Sequence, residues 1–144
     1  AFIIGYLRAY ILEKKEDIIY SANEIEVDMN LKLIAELSIK NKDVWEETFN
    51  IIINGISKDI EGNIGILPVK ENDGESNKQI KTILNKTKNY PKITFCDGLQ
   101  EAFEYDNLIL LVKIKNTKKK NIFELNKKLI FHKKNNLGTL VLIN

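Results

Sequence analysis

The spacing of apolar and polar positions changes several times along the chain. "LKLIAELSI" (31–39) alternates, the period-two signature of a strand with one buried face. "NIGILPV" (63–69), "YPKITF" (90–95) and "LGTLVLI" (137–143) are short apolar runs bounded by turn residues. "NLILLVKI" (107–114) is the most apolar run and is expected at the centre of a sheet. Between these runs the period lengthens to that of a helix. Val44, Phe49, Ile52, Ile53 and Ile56 recur at helical spacing over about 43–59, with Asn41 or Asp43 as the cap. Ile80, Ile83 and Leu84 do so over 75–88, and Ile122, Leu125, Leu129 and Ile130 over 117–135. "GLQEAFEYD" fits a short helix. "SANEIEVDMN" opens on Ser21 with Glu24 three residues later, a capping box that starts another short helix ending near Asn30. Residues 2–16 also read as helix. Pro68 has no amide hydrogen, so it belongs at or beyond the end of its strand.

Helices and strands therefore alternate from residue 31 to the end. That order predicts an α/β fold of three layers: a mostly parallel sheet of about five strands with helices on both faces and right-handed crossovers. A length of 144 residues fits one core, with no internal repeat. Hydrophobic content of 44% and charged content of 29% are those of a soluble globular chain. The net charge of +2, with lysines spread along the sequence, gives no reason to expect nucleic acid. One cysteine, Cys96, excludes an internal disulfide and suits a reducing compartment. The apolar opening "AFIIGYLRAYIL" has two readings. It is either the buried face of a first helix or the cytoplasmic end of a membrane helix, with Arg8, Lys14 and Lys15 just after it.

Ligands of open α/β sheets bind beyond the carboxyl ends of the strands, where the 69–75 loop is expected. A phosphate-binding Walker A loop needs glycines for close backbone approach, a lysine for the phosphates and a hydroxyl for Mg²⁺. When Gly74 and Glu75 are matched to the "GEGKST" form, Ser76 falls on the second glycine and Asn77 on the lysine. Lys78 then falls on the magnesium-binding hydroxyl and Gln79 on the next one. Ser76 adds a Cβ where closeness is wanted, and Asn77 carries no charge. Lys78 points about 100° away on a helix. Asp73 and Glu75 place negative charge where phosphate would go. The expectation is a strand–loop–helix connection that binds no ligand, with ATP, Mg²⁺ and other cofactors or metals not called for. Asp97 follows a strand and is either a Walker-B-like acid or an ordinary turn residue. His132, the single histidine, is expected to be solvated on a lysine-rich helix face, as is the "KKK" at 118–120. Trp45 and Phe49 are four apart and share a face, for the core or a subunit interface.

Four stretches, taken in order, resemble the cytoplasmic part of bacterial polysaccharide co-polymerases. These chain-length determinant proteins have a second transmembrane helix that leads into a tyrosine-kinase-like P-loop domain. "FIIGYLRAYILEKKEDIIYSANEIEVDMNLKLIAELS" is similar to the family's juxtamembrane tail. "ETFNIIINGI" (47–56) is similar to its "EAFRTLRTNI" helix, keeping Glu47 and Phe49. "IGILPVKENDGESNK" is similar to the Walker A strand and loop. "CDGLQEAFEYDNLILLVKIKNTKKKNIFELNKKL…NNLGTLVLIN" is similar to the closing region, with Asp106, Thr117, Leu137, Gly138 and Asn144 in place.

The departures qualify what the resemblance implies. Asn50 and Ile53 replace two arginines that serve subunit contacts in the family. The middle segment that carries the Walker B strand is missing, and no tyrosine cluster ends the chain. By the closing match Asp97 starts a helix; a competing match makes "KITFCD" the Walker B strand. The resemblance thus implies a reduced P-loop-like domain without kinase parts. It implies a membrane-proximal tail over 1–30 and a degenerate kinase-like domain over 31–144. It favours the membrane-proximal reading of the opening residues. It further implies a non-catalytic scaffold or oligomerisation module in capsular, lipo- or exopolysaccharide biosynthesis, at the cytoplasmic face of the bacterial inner membrane. Its partners would be that membrane, through upstream helices, polysaccharide assembly proteins, and a second copy through Glu47, Asn50 and Ile53. The alternative is a nucleotide-binding ATPase or kinase using Lys78 and Asp97.

Overall fold

The computed structural model describes residues 18–27, 29–56, 62–69, 74–86, 93–115 and 117–143. The helix expected over 2–16 and Asp73 of the candidate loop lie outside them. The described elements are α1 (Ala22–Val27), β1 (Leu33–Ser38), a 3₁₀ turn (Lys42–Val44), α2 (Trp45–Ile56), β2 (Ile64–Pro68) and α3 (Gly74–Lys86). Then follow β3 (Ile93–Phe95), α4 (Leu99–Ala102), β4 (Asn107–Lys113), α5 (Lys119–Phe131) and β5 (Asn135–Ile143). The capping box at Ser21 forms its acidic half. The Glu24 carboxylate accepts the backbone N–H groups of Tyr20 and Ser21 at 2.7 and 3.3 Å.

The five strands form one parallel sheet in the order β1-β5-β4-β2-β3. β4 is central, and Asn107 to Val112 are all buried, as its apolar run requires. Steps from β1 to β2 and from β2 to β3 go one way along the sheet through α2 and α3. Steps from β3 to β4 and from β4 to β5 go back through α4 and α5. The apolar clusters put these helix pairs on opposite faces. One direction on one face and the reverse on the other is what a single crossover hand demands.

On the first face, Trp45, Phe49, Ile52 and Ile53 of α2 and Ile80, Ile83 and Leu84 of α3 cover Ile64, Ile66, Ile93, Phe95, Ile109 and Leu111. Trp45 is fully buried, and its indole N–H donates to the Ser38 carbonyl at 2.8 Å. On the second face, α4 and α5 cover Leu67, Leu108 and Leu110 through Ala102 and Leu129. Ile19, Ala22, Ile25 and Met29 complete this layer against Val112, Val141 and Ile122. Ile18 bridges to Lys118, and the Ile19 N–H donates to the Thr117 carbonyl at 3.0 Å. The described part of the 1–30 segment therefore shares the core of the sheet.

Two apolar positions depart from the expected stripes. Val44 is exposed because Trp45, one residue and about 100° further round, takes the inward position of this turn. Ile130 is exposed because it follows Leu129, which takes the inward position of the last turn.

Pro68 closes β2. Residues 64, 66 and 68 direct their backbone groups toward β3, as the bond from the Cys96 N–H to the Ile66 carbonyl shows, and β3 has ended by residue 68. The missing proline hydrogen thus deprives no ladder. Gly138, with φ of +149°, lies between two bulges, one placing Leu137 extra in β5 and one placing Ile34 extra in β1. A Cβ there would stand 2.5 Å from Ile34 Cγ1.

Candidate functional site

β2 and β4 are neighbours whose onward connections leave on opposite faces, so the sheet's topological switch point falls between them. Val69 follows the carboxyl end of β2, where the sequence pattern puts the candidate phosphate loop. Beside it a cleft of about 210 Å³ lies between the ends of β2 and β3, the start of α4 and the side of α5. Pro68 and Val69 form one wall; Asp97, Asn121, Glu124 and Lys128 supply its polar groups.

The Walker A positions open α3. Gly74 and Glu75 are exposed, Ser76 is buried, Asn77 is half-buried and Lys78 is exposed. A Cβ on Gly74 would meet no protein atom within 4 Å, so the local packing does not demand a glycine there. The Lys78 carbonyl accepts the Thr82 hydroxyl at 2.9 Å.

The cation that reaches the neighbouring strand end is Lys81, three residues on. Its Nζ lies 2.6 Å from Asp97 Oδ1 and 5.3 Å from the centre of the Phe95 ring. The side chains are 41% and 69% exposed, so the pair contributes at most about 1 kcal/mol to stability. Its consequence is electrostatic: the carboxylate at the end of β3 is already engaged by a lysine of α3. The Asp97 N–H donates to Glu101 Oε2 at 2.9 Å, which fixes the entry to α4. Asp97 thus stands two residues after β3, the strand beside β2, and two residues ahead of a helix.

Cys96 is fully buried between β2 and α4. Burial, then the nearby Glu101, Asp97 and Glu104 carboxylates, push its thiol up to about 12. It is a packing thiol at neutral pH rather than a nucleophile. His132 caps α5 in solvent and stacks on Phe103, with ring centres 4.2 Å apart. The candidate interface residues divide. Glu47 and Asn50 are exposed on α2, whereas Ile53 faces the sheet and is buried. Ile53 therefore cannot present itself to a second subunit without unpacking the core.

Lys81, Glu101, Glu124 and Lys128 were not singled out by sequence. Lys81 had a signal, since it lies three residues from Lys78 on one helix face. Glu124 and Lys128 reach the cleft only because α5 packs beside β2, which no local pattern encodes. Among the described residues no group of histidine, cysteine and carboxylate side chains is arranged to hold a metal, and no helix is long and apolar enough to cross a membrane.

Together these features define a three-layer parallel α/β domain with a small polar crevice at its switch point. Searches against known protein families, curated proteins and solved structures find no match for this chain.

Proposed function

We propose that this chain is a non-catalytic α/β module that serves as a scaffold or oligomerisation unit in a membrane-anchored protein of polysaccharide chain-length control or export. The observation that carries the non-catalytic part is the Lys81–Asp97 pair at the crevice. It occupies the acid that a Mg²⁺–nucleotide would use, while Asn77 stands where the phosphate lysine belongs. The polysaccharide part rests on the ordered resemblance of the four stretches. Glu47 and Asn50, exposed on α2, are the contact positions that remain available.

Calorimetric titration of the 144-residue chain with ATP and with ADP, Mg²⁺ present, is expected to show no binding. Micromolar binding lost in Lys78→Ala would overturn the non-catalytic reading. Deletion of the gene is expected to change the length distribution of a surface polysaccharide, restored equally by wild type and by Lys78→Ala. An unchanged distribution removes the polysaccharide assignment.

A nucleotide-binding reading has one observation in its favour: β3 lies directly beside β2 and Asp97 follows two residues after its last residue, close to the relation of a Walker B strand to a phosphate-loop strand. On that reading Asp97→Ala would abolish the titration signal.

A further inference from the structure

The net charge of +2 conceals an asymmetry. Nine of the 22 basic residues and one of the 20 acidic ones fall between Lys113 and Lys134. That segment carries +8 and the rest of the chain −6. Most of it is α5, whose inward side is spent on the sheet through Ile122 and Leu129. Its outward side is not simply polar. Phe131 is 82% exposed, Ile130 65% and Phe123 47%. At about 100° per residue, Phe123, Ile130, Lys127, Lys120 and Phe131 share one outward arc about 100° wide. Phe131 is braced edge-on against His132, with ring centres 5.4 Å apart, and His132 rests on Phe103, which follows α4.

A solvated helix face would carry lysines without aromatics, and a protein-docking core would carry aromatics with few lysines. Apolar side chains interleaved with lysines, with Glu124 the one acid on the helix, suit an anionic lipid surface. The rings and Ile130 enter the headgroup boundary while the ammonium groups meet lipid phosphates. We propose that the outward face of α5 docks this protein on an anionic bilayer. The negative remainder of the chain turns the molecule so that this face leads toward the membrane. The proposal deepens the membrane setting of the proposed function but stands on α5 alone. Nucleotide titration and polysaccharide profiles test the former and leave this surface untouched.

Sedimentation with vesicles tests it, using phosphatidylcholine alone and an equimolar mixture with phosphatidylglycerol. Wild type is expected to bind the mixed vesicles, weaken as salt rises, and leave neutral vesicles in the supernatant. Lys120→Gln with Lys127→Gln is expected to lower the partition coefficient roughly 30-fold, about 1 kcal/mol for each lysine. Phe131→Ser should fold, since the side chain is already in solvent, and should also lose binding; circular dichroism confirms folding. Equal binding to neutral vesicles, or binding that none of these variants alters, overturns the proposal and points to the apolar opening residues instead. Binding to duplex DNA as tight as to the vesicles, and indifferent to Phe131→Ser, overturns it in favour of a general polyanion surface.

Discussion

The two faces of the sheet are built from the same kind of strand and finished differently. The α2/α3 face is one apolar cluster from Leu37 through Trp45 and Phe49 to Phe95. The α1/α4/α5 face is two smaller clusters, one around Ile25 and Ile122 and one around Leu108 and Leu129. Of the seven large hydrophobic residues left exposed among the described residues, five lie on this second side: Tyr20, Val27, Phe123, Ile130 and Phe131. Stability is therefore concentrated on the first face, and the unsatisfied apolar surface lies on the second. A domain that only needed to fold would have little reason to keep Phe131 in water beside a row of lysines.

The contrast breaks first at Phe49. Phe49→Ala removes a fully buried ring from the larger cluster and is expected to cost about 3–5 kcal/mol. Phe123→Ala, on the outward side of α5, is expected to change stability by no more than about 0.5 kcal/mol. Urea denaturation followed by far-ultraviolet circular dichroism measures both. Equal losses would show that the two faces are equivalent and that the exposed rings of α5 contribute to the core.

Sequence pattern reached the stabilising face more fully than the other. Phe49, Ile52, Ile53, Ile80, Ile83 and Leu84 are all inward as their spacing predicts, because a helix lying on a sheet needs one continuous stripe. The run from Leu108 to Val112 is buried on both faces, as expected of a central strand. Readings that depended on neighbours distant in sequence fared less well. Ile130 continues the helical stripe on paper, yet Leu129 occupies the inward position and leaves it outside. The extra residues at Ile34 and Leu137 follow from how three strands register together around Gly138. At the crevice, the displaced Lys78 was visible as a defect in a motif. That Lys81 engages Asp97 instead was not, because the partners lie sixteen residues apart and meet only when α3 packs along β3.

A tighter point on the second face lies at Gly65. A Cβ there would stand 2.8 Å from Cys96 Sγ, 2.9 Å from Leu108 Cδ2 and 3.0 Å from Tyr105 Cδ2. Gly65→Ala is expected to cost about 1–3 kcal/mol through overpacking. Cys96→Ala removes the closest of these atoms, so the double variant should lose less than the sum of the singles. Strict additivity would mean that the layer yields at Leu108 or Tyr105 and is looser than the distances suggest.

The smallest effect concerns how dry this layer is where it meets β2. Cys96 has its thiol held as high as about 12, against an ordinary value of 9.0, chiefly by burial. In the unfolded chain the thiol ionises from about 9 upward, while the native thiol keeps its proton. Between those values the native state binds more protons than the unfolded state, so stability falls as pH rises and is fully retained below about 9. The expected slope is about 1 kcal/mol per pH unit. The quantity to measure is the difference between wild type and Cys96→Ala in urea midpoints taken from neutral pH to above 10, which isolates the thiol. A gap that shifts against the wild type on the alkaline side reports a buried thiol. A gap independent of pH would mean that water already reaches Cys96, and that the second face is open at β2 as well as along α5.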